Sequence, residues 1–100
     1  MENQIGLEEP GFTDIKELIE TIRKNPYVKE VRLVMLGRKL NYSRIDISTK
    51  NIDKVFNKHL FNQITRVEWR MIDKTKLPWC IDVEVNTKFE QIERGTIINV

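Results

Sequence analysis

Two aspartates stand in the middle of segments that otherwise have the composition of β-strands. Asp46 lies between two isoleucines in "SRIDIST", and Asp82 lies near the start of "WCIDVEV". Strand interiors seldom carry carboxylates, because a half-buried charge is costly unless it is paired or binds a cation. If the two strands are neighbours, both carboxylates can face one site, where their repulsion favours a metal ion between them. The alternative is a structural role in which Arg44 or a lysine neutralises them, and from spacing alone that role is the better supported.

The first half of the chain predicts a helix followed by a hairpin. Apolar residues at helical spacing indicate a first helix over residues 14–24, with Thr13 as its N-cap and Pro26 beyond its end. "YVKEVRLVML" is rich in branched residues and predicts a strand that ends at Gly37. "SRIDIST" follows so closely that an antiparallel hairpin is the economical connection.

The second half predicts a long helix and two further strands. The apolar pattern indicates a helix from Asn51 to about Asp73, although residues 65–71, "TRVEWRM", also alternate as a strand would. "WCIDVEV" predicts a third strand, residues 87–95 a short helix, and "TIINV" a fourth strand. The expected fold is therefore α+β: a mixed four-stranded sheet with helices packed on one face, in the order α-β-β-α-β-α-β.

Length and composition bound the function. One hundred residues, 40% of them hydrophobic, make a single domain, and residues 1–12 are expected to form a flexible N-terminal arm. The chain has no run of eighteen apolar residues and no secretory signal, so we expect a cytoplasmic protein with no membrane partner. Cys80 and His59 are the single residues of their types, which excludes an internal disulfide and a Cys/His zinc site.

Charge is distributed unevenly along the chain. The net charge is +2, but residues 1–22 carry one positive and six negative side chains, whereas residues 23–72 carry twelve positive and four negative ones. A basic middle can attract phosphate, nucleic acid or an acidic protein, and it can equally be an ordinary solvated face. Binding of nucleic acid is therefore one possibility that the sequence raises.

Four segments occur in an order that is typical of one protein family. They are "VRLVMLG", "NYSRIDI", "LPWCIDVEV" and "IERGTIINV". With them the chain, from about Ile15 to Val100, resembles the minimal nucleotidyltransferases of the DNA polymerase beta superfamily. In that family a strand ends in Gly-Ser, a later strand carries Asp-x-Asp, and Leu-Pro with an aromatic residue precedes a strand with a third aspartate. The most specific match is "LPWCID".

The resemblance implies a site and its cofactors. Asp46 and Asp82 would be the second and third catalytic carboxylates, which in the family hold Mg²⁺ while a nucleoside monophosphate is transferred from ATP. Gly37, Arg38, Ser43 and Arg44 would lie near the nucleotide.

The chain also departs from the family pattern in two places. Gly37 is followed by Arg38 and not by serine, and the loop is about five residues shorter than is usual in the family. The first aspartate of the pair is replaced by Arg44. A guanidinium there would compete with a cation for the two remaining carboxylates, so weak or absent binding of Mg²⁺ is expected.

Three functions follow as hypotheses. The favoured one is a degenerate nucleotidyltransferase-like protein that acts through binding, as the antitoxin-like partner of a helical HEPN-type protein, since minimal nucleotidyltransferases commonly pair with such proteins. The second is an active Mg²⁺-dependent nucleotidyltransferase that moves a nucleoside monophosphate from ATP to a hydroxyl of protein or nucleic acid. The third is a nucleotide- or RNA-binding module that uses Arg38, Lys39 and Arg44. Association into homo-oligomers is compatible with all three.

Overall fold

The chain forms one mixed sheet with its helices on one face, in a computed structural model that describes the backbone of Glu2–Asn3 and all of residues 9–100. The strand order is β1-β5-β2-β3-β4; β2 pairs antiparallel with β3 and β5, whereas the β3–β4 and β1–β5 pairs are parallel. The elements are β1 (Glu2–Asn3), α1 (Phe12–Arg23), β2 (Glu30–Met35), β3 (Tyr42–Ser48), α2 (Ile52–Val55), α3 (Lys58–Thr75), β4 (Cys80–Asn86) and β5 (Thr96–Ile98). The α+β class, the mixed sheet and the order of its main elements are confirmed, and the two-residue β1 adds a short edge strand.

Helix α1 begins earlier than predicted. Its N-cap is Gly11 with φ 88°, a conformation that glycine adopts without strain, and not Thr13, which is exposed. The prediction of Thr13 as the cap was therefore wrong. The apolar spacing was interpreted correctly, because Ile15 and Ile19 are fully buried against the sheet.

The predicted long helix is divided into α2 and α3. Phe56 leaves the helical conformation, and the extended Asn57 caps α3 by accepting a hydrogen bond from the Leu60 N–H at 3.1 Å. Residues 65–71 lie inside α3, so the helical interpretation of this segment is confirmed. A buried stripe holds α3 on the sheet; it consists of Leu60, Ile64, Val67 and Met71.

The short helix predicted for residues 87–95 is not formed. We call this segment, residues 87–95, the crossing segment, because it joins β4 to β5 across the face of the sheet opposite the helices. Two apolar residues, Phe89 and Ile92, are too few to hold an isolated helical turn. Instead Phe89 and the Glu90 carbonyl oxygen contact Arg32 of β2.

Two expectations concern the ends of the chain and the membrane. Of the N-terminal arm predicted for residues 1–12, residues 1 and 4–8 lie outside the described residues. Among the residues that the structure does describe, no helix is both long and apolar enough to span a membrane.

Candidate functional site

Five charged residues of β2, β3 and β4 point away from the helices. In the parallel pairing of β3 with β4, Arg44 lies beside Asp82 and Asp46 beside Glu84, while Arg32 of β2 lies opposite Asp46. Paired residues of neighbouring strands project from the same face of a sheet. The structure thus brings Asp46 and Asp82 to one face, with Arg44 next to both.

Asp46 is neutralised by two arginines. It is 5% exposed, and its Oδ2 accepts hydrogen bonds from Nη2 of Arg32 at 2.7 Å and from Nε of Arg32 at 3.0 Å. Its Oδ1 accepts from Nε of Arg44 at 2.7 Å. The hydrogen bond to Asp46, supported by the nearby charges of Glu84 and Asp82, raises the pKa of Arg44 and outweighs the opposing effect of burial. Both carboxylate oxygens are therefore held by groups that stay charged at any physiological pH.

The crossing segment covers this cluster. The guanidinium carbon of Arg32 lies 4.4 Å from the centre of the Phe89 ring, a cation–π distance. The Nη2 group of Arg32 also donates a hydrogen bond to the Glu90 carbonyl oxygen at 3.0 Å. Arg32 consequently ties the crossing segment to the sheet while it neutralises Asp46.

Asp82 and Glu84 are exposed on β4, the strand at the edge of the sheet. Glu84 lies 3.2 Å from Nε of Arg44. Asp82 has no ion-pair partner among residues 9–100, and it accepts a weak hydrogen bond from the Cys80 thiol at 3.5 Å. Partial burial, together with the negative charge of Asp82, raises the pKa of Cys80. The thiol is thus protonated at neutral pH and is a poor nucleophile.

An open cavity of about 510 Å³ lies between this face and the crossing segment. Three arginines and five carboxylates line it, so its charge is negative overall, which opposes the binding of phosphate. These residues are Arg32, Arg44, Arg94, Asp46, Asp82, Glu84, Glu90 and Glu93.

The other predicted nucleotide-binding residues lie elsewhere. Gly37 and Arg38 occupy the exposed turn between β2 and β3 and do not line the cavity. Ser43 is fully buried on the opposite face of β3, where its Oγ donates to the Leu40 carbonyl oxygen at 2.8 Å. The structure therefore does not place Ser43 where it could contact a nucleotide in the cavity.

Sequence reasoning missed Arg32 and Phe89. A usable indication for Arg32 was present, since it is a charged residue inside the first predicted strand with a sign that complements Asp46. Phe89 was hidden by the expectation that its segment is helical. Glu84, on the same face of β4 as Asp82, is an ion-pair partner of Arg44.

The donors present do not fit Mg²⁺. This ion requires free carboxylate oxygens in octahedral geometry, whereas the Asp46 oxygens already accept from two guanidinium groups. Within residues 9–100, no group of three or more His, Cys, Asp or Glu side chains is arranged to hold a metal ion.

Comparison of the chain with protein-family models, with curated proteins and with solved structures found no match. The relation to minimal nucleotidyltransferases accordingly stays a prediction from the sequence motifs.

Proposed function

We propose that this protein acts by binding another protein and does not transfer nucleotides. One observation carries the proposal: Arg32 and Arg44 occupy both oxygens of Asp46, each at 2.7 Å. A metal-dependent nucleotidyltransferase needs such a carboxylate free to bind Mg²⁺. Mg²⁺ could bind Asp46 only by displacing a guanidinium, and breaking an ion pair of this nearly buried carboxylate is unfavourable.

The proposed partner is a helical protein of the HEPN type, for which this chain would serve as an antitoxin-like binding protein. Support for a protein partner comes from an exposed apolar surface on α2 and the start of α3, which we call the aromatic ridge: Ile52, Phe56 and Phe61. The rings of Phe56 and Phe61 meet edge to face with their centres 5.0 Å apart. Clustered apolar groups of this kind are typical of interaction sites.

A first experiment separates binding from catalysis. Titration of the purified protein with ATP and MgCl₂ should release no heat, and incubation with labelled ATP should transfer no label to protein or RNA. Binding of ATP that requires Mg²⁺, or transfer of label, would support the active enzyme instead. Binding of RNA that weakens steeply with added salt would support the third hypothesis.

A second experiment tests the partner surface. Affinity-tagged protein should be isolated from its native cells together with a partner in a complex of defined mass, and Phe61→Ser should lose that partner. Trp69→Ser is the matched control, since Trp69 is a 66% exposed aromatic residue of the same helix outside the aromatic ridge. Equal loss from both variants, or a wild-type protein with no partner, would contradict the proposal.

A further inference from the structure

The outer edge of β4 carries backbone groups with no strand beside them. On the inner side, the Cys80 N–H donates to the Asn41 carbonyl oxygen at 2.8 Å, and the Asn86 carbonyl oxygen accepts from the Thr49 N–H at 2.9 Å. Backbone groups of successive residues point to alternate sides of a strand, so those of Val83 face outward. Within the described part of the chain, no strand pairs with this edge.

The free edge has a defined beginning. The Ile81 N–H, which also faces outward, donates to Oε2 of Glu68 on α3 at 2.8 Å. Because Glu68 already accepts from the Ile81 N–H, the outward N–H groups that can still donate to an added strand are those of Val83 and Val85. An added strand would have to pair at these two positions, which fixes its place along β4.

A groove of about 570 Å³ follows the same edge. Phe56, Phe61 and Ile64 form its apolar wall. Its charged lining residues are Arg44, Glu68, Asp82 and Glu84, so its charge is negative overall. Side chains of an added strand alternate between its two faces. One set would contact the apolar wall and the other set would contact the carboxylates.

The carboxylates of Asp82 and Glu84 indicate what kind of strand can bind at the β4 edge. Consider a second copy that pairs antiparallel with this edge. With Val83 opposite Val83, Asp82 of each copy would lie opposite Glu84 of the other. With Asp82 opposite Asp82, or Glu84 opposite Glu84, identical carboxylates would face each other. Directly opposed like charges destabilise a strand pair. Lysine or arginine at those positions would instead form ion pairs, and Asp82 has no other ion-pair partner among residues 9–100.

We infer that the outer edge of β4 receives an extended basic segment of a partner protein, in which apolar and basic side chains alternate, as an additional strand. The inference rests on the proposed function, because it names the part of the protein partner that is bound. Backbone hydrogen bonds to Val83 and Val85 supply affinity, and the acidic and apolar walls supply specificity.

The test uses a synthetic peptide with the full-length protein. The probe is a fluorescein-labelled peptide of about nine residues in which lysine and valine alternate around a central leucine. Its binding is measured by fluorescence anisotropy. Val83→Pro removes an outward N–H and leaves the inner hydrogen bonds intact, and the matched control Val83→Ala loses side-chain volume but keeps that N–H. We expect Val83→Pro to bind about tenfold more weakly than Val83→Ala.

Three results would overturn the inference. They are equal binding by the two variants, no binding by the wild type, and equal binding of a peptide with glutamate in place of lysine. Should Val83→Pro fail to fold, amide hydrogen exchange of the wild type decides: saturating lysine peptide should slow exchange at Val83 and Val85. Unchanged exchange at both positions would refute the added strand.

The partner itself separates this inference from the proposed function. If Val83→Pro, folded, retains the cellular partner that Phe61→Ser loses, the β4 edge is not the binding site, although the protein still acts by binding. If the wild type binds the lysine peptide through Val83 but has no cellular partner, the edge is correctly identified and the proposed function is wrong.

Discussion

Replacing Arg44 with aspartate is expected to convert the neutralised cluster into a site for a divalent cation. Position 44 lies beside Asp82 in the β3–β4 pairing and two residues from Asp46 on the same face of β3. Arg44→Asp removes one of the two guanidinium groups on Asp46 and adds a third carboxylate in its place. The result is a set of oxygen donors that a hard cation can use.

The change in the free energy of unfolding follows from the contacts that Arg44 makes. Without metal, the variant loses the ion pairs of Arg44 with Asp46 at 2.7 Å and with Glu84 at 3.2 Å. Removing one partner of a fully buried pair costs about 3–5 kcal/mol. The Arg44 side chain is 23% exposed and Arg32 still neutralises Asp46, so we expect a loss of about 2 kcal/mol. About 10 mM Mg²⁺ acting at a Kd of about 0.1 mM would restore about 2.7 kcal/mol.

Urea unfolding followed by circular dichroism, in MgCl₂ and in EDTA at equal ionic strength, measures both effects. Arg44→Asn is the matched control, because it loses the same ion pairs without adding a charge. We expect Mg²⁺ to stabilise Arg44→Asp alone. If Mg²⁺ stabilises Arg44→Asn equally, or leaves Arg44→Asp unchanged, the carboxylates do not converge at position 44 as the structure indicates.

Two further predictions concern α3 and the outer strand. Asn57→Ala removes the cap that accepts from the Leu60 N–H, and the free energy of unfolding in urea should fall by about 1 kcal/mol; no change would mean that the cap is not formed in solution. Asp82→Asn removes a charge that raises the pKa of Cys80, so iodoacetamide should modify the thiol faster near pH 8, where more of it is then ionised. An unchanged rate would show that Asp82 does not influence Cys80.

The helices were predictable where a buried stripe continued and not where a local cap interrupted it. Periodicity extends through Ile64 and Val67, so helix was the correct interpretation for residues 65–71. The same periodicity continues across Phe56 and Asn57, so it did not reveal the break between α2 and α3. Apolar spacing carries no information about a polar side chain that caps a new helix. The helix predicted for residues 87–95 was wrong for another reason: the conformation of this segment depends on contacts with Arg32, a residue distant in sequence.

The sequence was sufficient to predict which face of the sheet carries the two aspartates, but not which arginines pair with Asp46. Strand alternation places Asp46 and Asp82 on one face, and the same alternation places Ser43 on the other, a consequence that the family motif obscured. That Arg32 lies opposite Asp46 depends on the register of the hairpin, which the turn sets and the strand sequences alone do not.

Folding of the sheet is expected to proceed in a fixed order because its strand pairs differ in how far apart they lie along the chain. The β2–β3 ladder closes across one short turn, whereas β4 reaches β3 only after α2 and α3 have been traversed. Closing a longer loop sacrifices more chain entropy before any contact compensates for it. The hairpin should therefore nucleate early and β4 should dock later, which leaves β3 open to mispairing with other nascent chains until β4 has docked.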